Sequence, residues 1–443
     1  MPKFRSRRAL LCSALVLLVV AVAVFAAACG TATTTSTTAA APATTGTTAA
    51  PSTDTTAAPS TDTTAAATET TAAAATDFTF GVVMVGPYND TGWSQAHFEA
   101  GQYVEKKLPG AKMIYVDNAF SKAGTTPEQL ADDLLAQGAK MIIFNSDAFE
   151  TDAIAFAKAN PTIPTVFASG DTSWKDGKKY QAIANLSCFM GKMEYGKMIA
   201  GVAAAMTTKT GKIGYLGPII NDETRRLASS VYLGAKYAWV NYLHKDPKDL
   251  KFTVNWIGGW FNTPGVTADP TQVADNFFNS GYDVVISGID TTEALVEAGK
   301  MAAAGKKVWA IPYDYAGSLN EAPTVALGVP YFNWGPAYLK AVTMASQNKW
   351  ASYWDWNGPD WTNINNPDTS AVGFVKGEGL SNDAATKVDA FIAELAGGLN
   401  LWKGPLSLQD GTAYLKDGEV ATDLQIWYLP QLLQGMEGQS VAK

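Results

Sequence analysis

From Phe78 onward, short apolar runs alternate with longer amphipathic ones. FTFGVVMVG (78–86), KMIYVD (112–117), KMIIFN (140–145) and PTVFAS (164–169) are each almost continuously apolar. Strands covered on both faces read this way, because neither set of alternating side chains meets water. Between them, GWSQAHFEAGQYVEKKL (92–108), TPEQLADDLLAQGA (126–139) and ETDAIAFAKAN (150–160) return to apolar residues every three or four positions. That is the period of a helix packed on one side. A second series opens near Cys188 with helices over 191–208, 225–243 and 271–281. Its strands are KIGYLG (212–217), FTVNWIGGW (252–260), DVVISG (283–288) and KVWAIPYD (307–314). The fold class expected is α/β, with two Rossmann-like lobes built on parallel sheets.

Ligands of open α/β sheets sit beyond the carboxyl ends of the strands, so two facing lobes make a cleft lined by those ends. The positions concerned are Tyr88–Trp93, Asn145–Phe149, Gly170–Asp171, Trp260–Phe261, Asp290 and Tyr313–Asp314. They supply aromatics, amides and carboxylates, which suit a flat, polar ligand. NDTGWSQAHFEAG (89–101) places an indole where a strand hands over to a helix. If that spot faces the cleft, Trp93 is a rigid stacking wall that loses little entropy on binding; packing beneath a loop is the alternative. Asn89 and Asp90 either cap the helix or touch the ligand, and His97, one turn on, is either a hydrogen-bonded helix residue or a contact. Trp260 and Phe261 are adjacent and cannot both face the cleft easily, so one belongs to the core. Asp290 and Asp314 either cap the helices that follow or bind the ligand. Stacking on two faces gives roughly 2–6 kcal/mol, whereas micromolar binding needs about 8. Hydrogen bonds from such carboxylates must therefore supply the rest and set specificity.

The chain carries no P-loop, G-x-G-x-x-G, G-x-S-x-G or H-E-x-x-H pattern. Two histidines, His97 and His244, and no cysteine cluster leave no classical zinc site, and no cofactor is expected. An exported hydrolase would need a nucleophile and base that the strand ends do not offer, so catalysis is the weaker reading. Cys188 reads as a small buried apolar residue, and the tryptophan-rich WASYWDWNGPDW (350–361) as a hinge-side or surface core.

The N-terminus adds export. MPKFRSRRALLCSALVLLVVAVAVFAAAC (1–29) is a basic start, an apolar run and small residues before Cys29. Ala-Ala-Ala-Cys resembles a lipobox, which makes Cys29 the expected lipidated terminus; an uncleaved anchor helix is the alternative. Both put the remainder outside the membrane. Residues 30–76 are almost wholly Thr, Ala, Ser and Pro, with APSTDTTA twice in succession. They lack the apolar surface to offset ordering and read as a flexible tether. Removing the leader's four basic residues from the chain's 33 leaves 29 against 41 acidic, a net of −12. Such a surface repels phosphate backbones, so no nucleic-acid partner is expected.

With these residues in place, the chain resembles the BMP (basic membrane protein, PnrA-like) family of lipoproteins. The resemblance rests on GWSQAHFEAG (92–101), IPTVFASGD (163–171), YGKMIAGVAAAMTTKTGKIGYLG (195–217), GGWFN (258–262), ADPTQVADNFFNSGYDVVISGID (268–290), FNWGPAYLKAV (332–342) and WKGPL (402–406), in that order. It implies a type I periplasmic-binding architecture and a receptor that delivers a solute to an ABC permease. It further implies a purine nucleoside or nucleobase held between aromatics, with Trp93 on one side and Trp260 or Phe261 on the other. Asp290 and Asp314 match polar strand-end positions. Asn333–Trp334 stand where nucleoside binders carry a lysine near the ribose, and its absence suits a bare nucleobase better. The lobes are then expected over 78–187 with 328–352 and over 188–327 with 353–443, after a signal peptide (1–28) and tether (29–77). The expected protein is a monomer. A ligand sensor coupled to a signalling receptor is the alternative, since both would use the same closed form.

Overall fold

The computed structural model describes residues 77–442; the leader, Cys29 and the tether lie outside the described residues. The chain runs β1 (Phe78–Val83), α1 (Trp93–Lys107), β2 (Ala111–Val116), α2 (Pro127–Ala136), β3 (Ile142–Phe144), α3 (Glu150–Ala159), β4 (Thr165–Ala168) and β5 (Leu186–Gly191). It continues through α4 (Met193–Thr207), β6 (Lys212–Gly217), α5 (Asp222–Tyr237), β7 (Lys251–Trp256), α6 (Pro270–Asn279), β8 (Val284–Ser287), α7 (Glu293–Ala303) and β9 (Trp309–Ile311). Next come β10 (Gly328–Phe332), α8 (Gly335–Ser346), β11 (Trp354–Asn357), β12 (Val372–Lys376) and α9 (Asn382–Ala396). The chain ends with β13 (Leu406–Ser407), β14 (Ala413–Leu415), α10 (Asp423–Trp427) and β15 (Met436–Glu437).

Two all-parallel sheets result, ordered β11-β5-β4-β3-β1-β2 and β15-β7-β6-β8-β9. Their inner strands β3, β4, β5 and β8 are buried at every residue, and β3, β4 and β8 accordingly read as apolar runs in the sequence. The antiparallel pair β10–β12 stands outside both sheets. The sheets do not divide at the boundaries expected at 187/188 and 352/353. β5 runs on to Gly191 and β11 begins at Trp354, and both are in the first sheet. A crossing inside a strand would break its ladder, so the chain changes lobe only once each strand has ended.

Local sequence explains the helix starts. α2 opens with a reciprocal capping box between Thr126 and Gln129 and Pro at its first turn. α5 opens with the same device between Asn221 and Thr224. α4 and α5 pack backbone to backbone through Gly201 and Gly234. A Cβ at Gly201 would strike the Val231 carbonyl oxygen, and one at Gly234 the Met198 carbonyl. The tryptophan-rich stretch puts Trp354 and Trp356 on β11 at the sheet edge. Trp354 stacks on Trp174 at 4.1 Å between centroids, and Trp427 of α10 meets Trp354 and Trp356 edge-on at 5.4 and 5.0 Å.

Candidate functional site

The strand ends of the two sheets meet around a small cavity. The first lobe gives it Trp93, Ser146, Asp147 and Ser169, and the second Glu223, Trp260, Asp290 and Tyr313. Gly92 is what lets the lobes approach here. A Cβ at that position would collide with the backbone carbonyl of Asp290, so only glycine fits beside the indole.

Trp93, 6% exposed, opens α1. Its Nε1 donates to the Asn145 carbonyl oxygen at 2.8 Å, which fixes the ring's rotation. Behind it stand three parallel rings. Trp334 stacks on His97 at 4.5 Å (15° between planes) and on Phe332 at 4.5 Å (19°). Trp93 meets Phe332 and Trp334 edge-on at 5.4 and 5.3 Å. The indole that lines the cavity is thus braced by a fixed aromatic stack rather than held by a loop.

The other residues singled out from sequence divide into three groups. Trp260 and Asp290 line the cavity with Trp93, and Asp290 N donates to the Trp260 carbonyl at 2.9 Å. Asp171 and Phe261 line neighbouring depressions. Phe261 also packs on the first lobe's core, so Trp260 is the one of that pair turned to the cavity. Asp90 borders the same depression as Phe261, and the rest support the site from outside it. Asp90 is a cap in full: its carboxylate accepts from the backbone N–H groups of Gly92, Ser94 and Gln95, each at 2.9 Å. Asn145 accepts from Val85 N at 3.0 Å. His97 is buried with Nδ1 2.8 Å from the Tyr338 hydroxyl. Phe149 is buried and stacks on the exposed Phe120, Trp334 lies within the stack, and Asn89 is exposed.

Asp314 lies fully buried, with left-handed backbone (φ 71°) and neither carboxylate oxygen hydrogen-bonded among the described residues. The nearest compensation comes from Lys197 of α4, also fully buried. Its ammonium donates to the Ser287 carbonyl at 2.9 Å and sits 3.2 Å from the centre of the Tyr313 ring. Burial lowers Lys197 to about 7, against the opposing pull of Asp314 and Glu223. Burial raises Asp314 well above the carboxylate range, with Lys197 opposing. Asp290 rises likewise, first by burial and then by repulsion from Asp314, Asp90, Asp147 and Glu223. Burial also lifts Asp147 to about 6 and Glu223 to about 7. The cavity is thus walled by crowded carboxyls that burial makes hold their protons more tightly than usual, together with a Tyr313 hydroxyl left without a partner among the described residues. Such groups can both accept from and donate to the edge of a heterocycle.

Sequence reasoning included Asp147 and Tyr313 among the strand-end positions without singling them out, and passed over Glu223 and Lys197. Glu223 follows strand β6 closely, so the strand-end rule extended by a few residues reaches it. Lys197 had its own signal, a lone charge inside the apolar helix YGKMIAGVAAAM. Nucleophile chemistry finds little support among the described residues. His97 is bonded away from the cavity, and burial pushes the Cys188 thiol up to about 12. No cluster of three or more metal-ligating side chains occurs among them.

A family model described as Bmp, ABC transporter substrate-binding protein PnrA-like, matches residues 78–357. The chain belongs to this family. Among Bmp relatives, a purine-binding protein of Brucella abortus is 28% identical over 350 residues, covering 77% of this chain and 88% of its own. The nucleoside-binding ABC transporter protein BmpA of Lactococcus lactis is 26% identical over 236 residues, 51% of this chain and 60% of its own. An ABC transporter solute-binding protein from Aeropyrum pernix matches with TM-score 0.56 at 13% identity, covering 75% of this chain and 93% of that one. One from Conexibacter woesei matches with TM-score 0.53 at 14% identity, covering 73% and 98%. These two likenesses establish the periplasmic-binding fold. As a Bmp-family substrate-binding protein, the chain is an exported component of an ABC importer and works with a small-molecule ligand and a membrane permease. Among the described residues, no helix is long and apolar enough to cross a membrane. The family match stops at Asn357, so α10 with Trp427, and Tyr428 after it, lie beyond it.

Proposed function

We propose that this Bmp-family protein is a lipid-anchored receptor, tethered through Cys29 on the outer face of the membrane, that binds a purine nucleobase or nucleoside between its lobes. The observation that carries the reading is the cavity walled by two indoles, Trp93 and Trp260, beside Asp290 and the free Tyr313 hydroxyl. Indole faces suit a flat ring, and the carboxyl and hydroxyl groups suit the donors and acceptors along a purine's edge. The printed names of the Brucella and Lactococcus relatives support the same class. Lobe closure about the strand crossings would then present a ligand-dependent surface to the permease.

The test is calorimetric titration of ligand-stripped protein with adenine, guanine, adenosine and inosine, repeated on Trp93→Ala. Micromolar or tighter binding to a purine, weakened at least about tenfold by loss of one stacking face, is expected. A folded protein that gives no heat with any of the four would refute the purine assignment and send the search to other flat solutes.

A further inference from the structure

The segment that follows β14 joins the two lobes through side chains, apart from the backbone crossings. Its base belongs to the second lobe. β15 pairs with β7, Arg225 of α5 donates through Nε to the Leu429 carbonyl at 2.7 Å, and Leu429, Leu432 and Leu433 are buried with side chains of β6 and β7. Its tip belongs to the first lobe. Trp427 and Tyr428 are buried in that lobe's core, where Trp174 lies parallel to Tyr428 with 5.9 Å between centroids. The change of lobe falls on the single peptide link between Tyr428 and Leu429.

The tip is held chiefly by one carboxylate. Asp171, buried just beyond β4, accepts from the Tyr428 hydroxyl and from Trp427 Nε1 at 3.2 Å. The same hydroxyl accepts from Lys178 N at 2.7 Å, and the Lys178 ammonium lies 4.5 Å from the centre of the ring. Trp427 in turn covers the Arg226 guanidinium at 4.3 Å, and Arg226 is locked to Glu194 at 2.6 Å. The indole is thus seated on a buried ion pair of α4 and α5 in the second lobe. A bond from a hydroxyl to a carboxylate is among the stronger hydrogen bonds. Asp171 stands on the side of its lobe that faces Asn221, Glu223 and Arg226. Hinge opening therefore carries it away from a tip whose base travels with the second lobe. We propose that residues 423–428 form a clasp that holds the two lobes closed before any solute arrives, and that opening requires Asp171 to release Trp427 and Tyr428. Any solute held between the lobes then leaves no faster than the clasp opens.

Thiol labelling of the ligand-free full chain tests it. Ser146→Cys puts a thiol on the cavity wall between the lobes, where a reagent reaches it only when they part. The native Cys188, buried within β5, reports unfolding of the first lobe in the same sample. Labelling at each position is read by mass spectrometry of its own peptide, with and without Tyr428→Phe. That substitution removes the hydroxyl and keeps the ring. It should speed labelling at position 146 at least about tenfold, the worth of one hydrogen bond to a charged group, and leave Cys188 unchanged. Equal labelling at position 146 with and without the hydroxyl would overturn the clasp. So would a parallel rise at Cys188, since the segment would then only support the fold. Neither result bears on the purine assignment, which the titrations above decide separately.

Discussion

Glu223 offers the sharpest test of the electrostatics described above. It stands at the start of α5 on the cavity wall, where burial lifts its carboxyl from 4.5 to about 7, Arg226 opposing and Asp147 adding to the rise. A rise of that size corresponds to about 3 kcal/mol. Glu223 is only partly buried by surface area, so screening by solvent reduces this to about 1–2 kcal/mol. The sign follows from linkage. Because the folded state holds the proton more tightly than the unfolded chain, the contribution is fully present below the unfolded value. It is lost as the pH climbs through the folded one. Glu223→Gln, neutral at every pH, should therefore match the parent below about pH 4.5 and exceed it by about 1–2 kcal/mol above pH 7, the gap opening between. The assay is urea unfolding of ligand-free protein across that range, with the slope of each transition checked for constancy. A gap that is independent of pH, or a variant less stable than the parent at high pH, would refute the account. The same variant should bind ligand less tightly, the usual trade between a strained site and its function.

Three further perturbations probe other links. Gly92→Ala places a methyl against the Asp290 carbonyl and should prop the lobes apart; purine affinity should fall at least about tenfold while solution scattering reports a larger radius of gyration. Gly201→Ala drives a methyl into the Val231 carbonyl across the α4–α5 contact and should destabilise the protein by about 1–3 kcal/mol in the same unfolding assay, without selective loss of binding. Cys29→Ser should abolish incorporation of labelled fatty acid and release the protein from the membrane fraction; unchanged membrane retention would favour the uncleaved anchor.

Much of the fold was legible because parallel strands buried on both faces leave unbroken apolar runs, and β3, β4 and β8 did so. The exact crossing points were not legible, since β5 and β11 look alike whichever sheet they join; pairing partners far along the chain decide that. At the site, the strand-end rule found Trp93, Trp260 and Asp290 but could not tell a wall from its support. His97 and Trp334 carry the same chemistry as cavity residues, yet they stack on one another behind Trp93. For Asp90 the sequence left cap and ligand contact open, and the structure gives it three backbone donors of the helix start. The C-terminal clasp left almost no trace in sequence. Asp171 lies more than 250 positions from Trp427 and Tyr428, and only the tertiary path of the C-terminal segment brings them together.

The cluster of Trp174, Trp354, Trp356 and Trp427 gives the protein its own optical gauge. Trp174 and Trp354 lie 4.1 Å apart and only 3° from parallel, close enough for their excited states to mix. Trp427 joins them edge-on from a segment that also contacts the second lobe through Arg226. Any motion that slides α10 relative to β11 changes the coupling among these indoles. Near-ultraviolet circular dichroism of the unlabelled protein can therefore follow the hinge directly, with no dye attached and no tryptophan added.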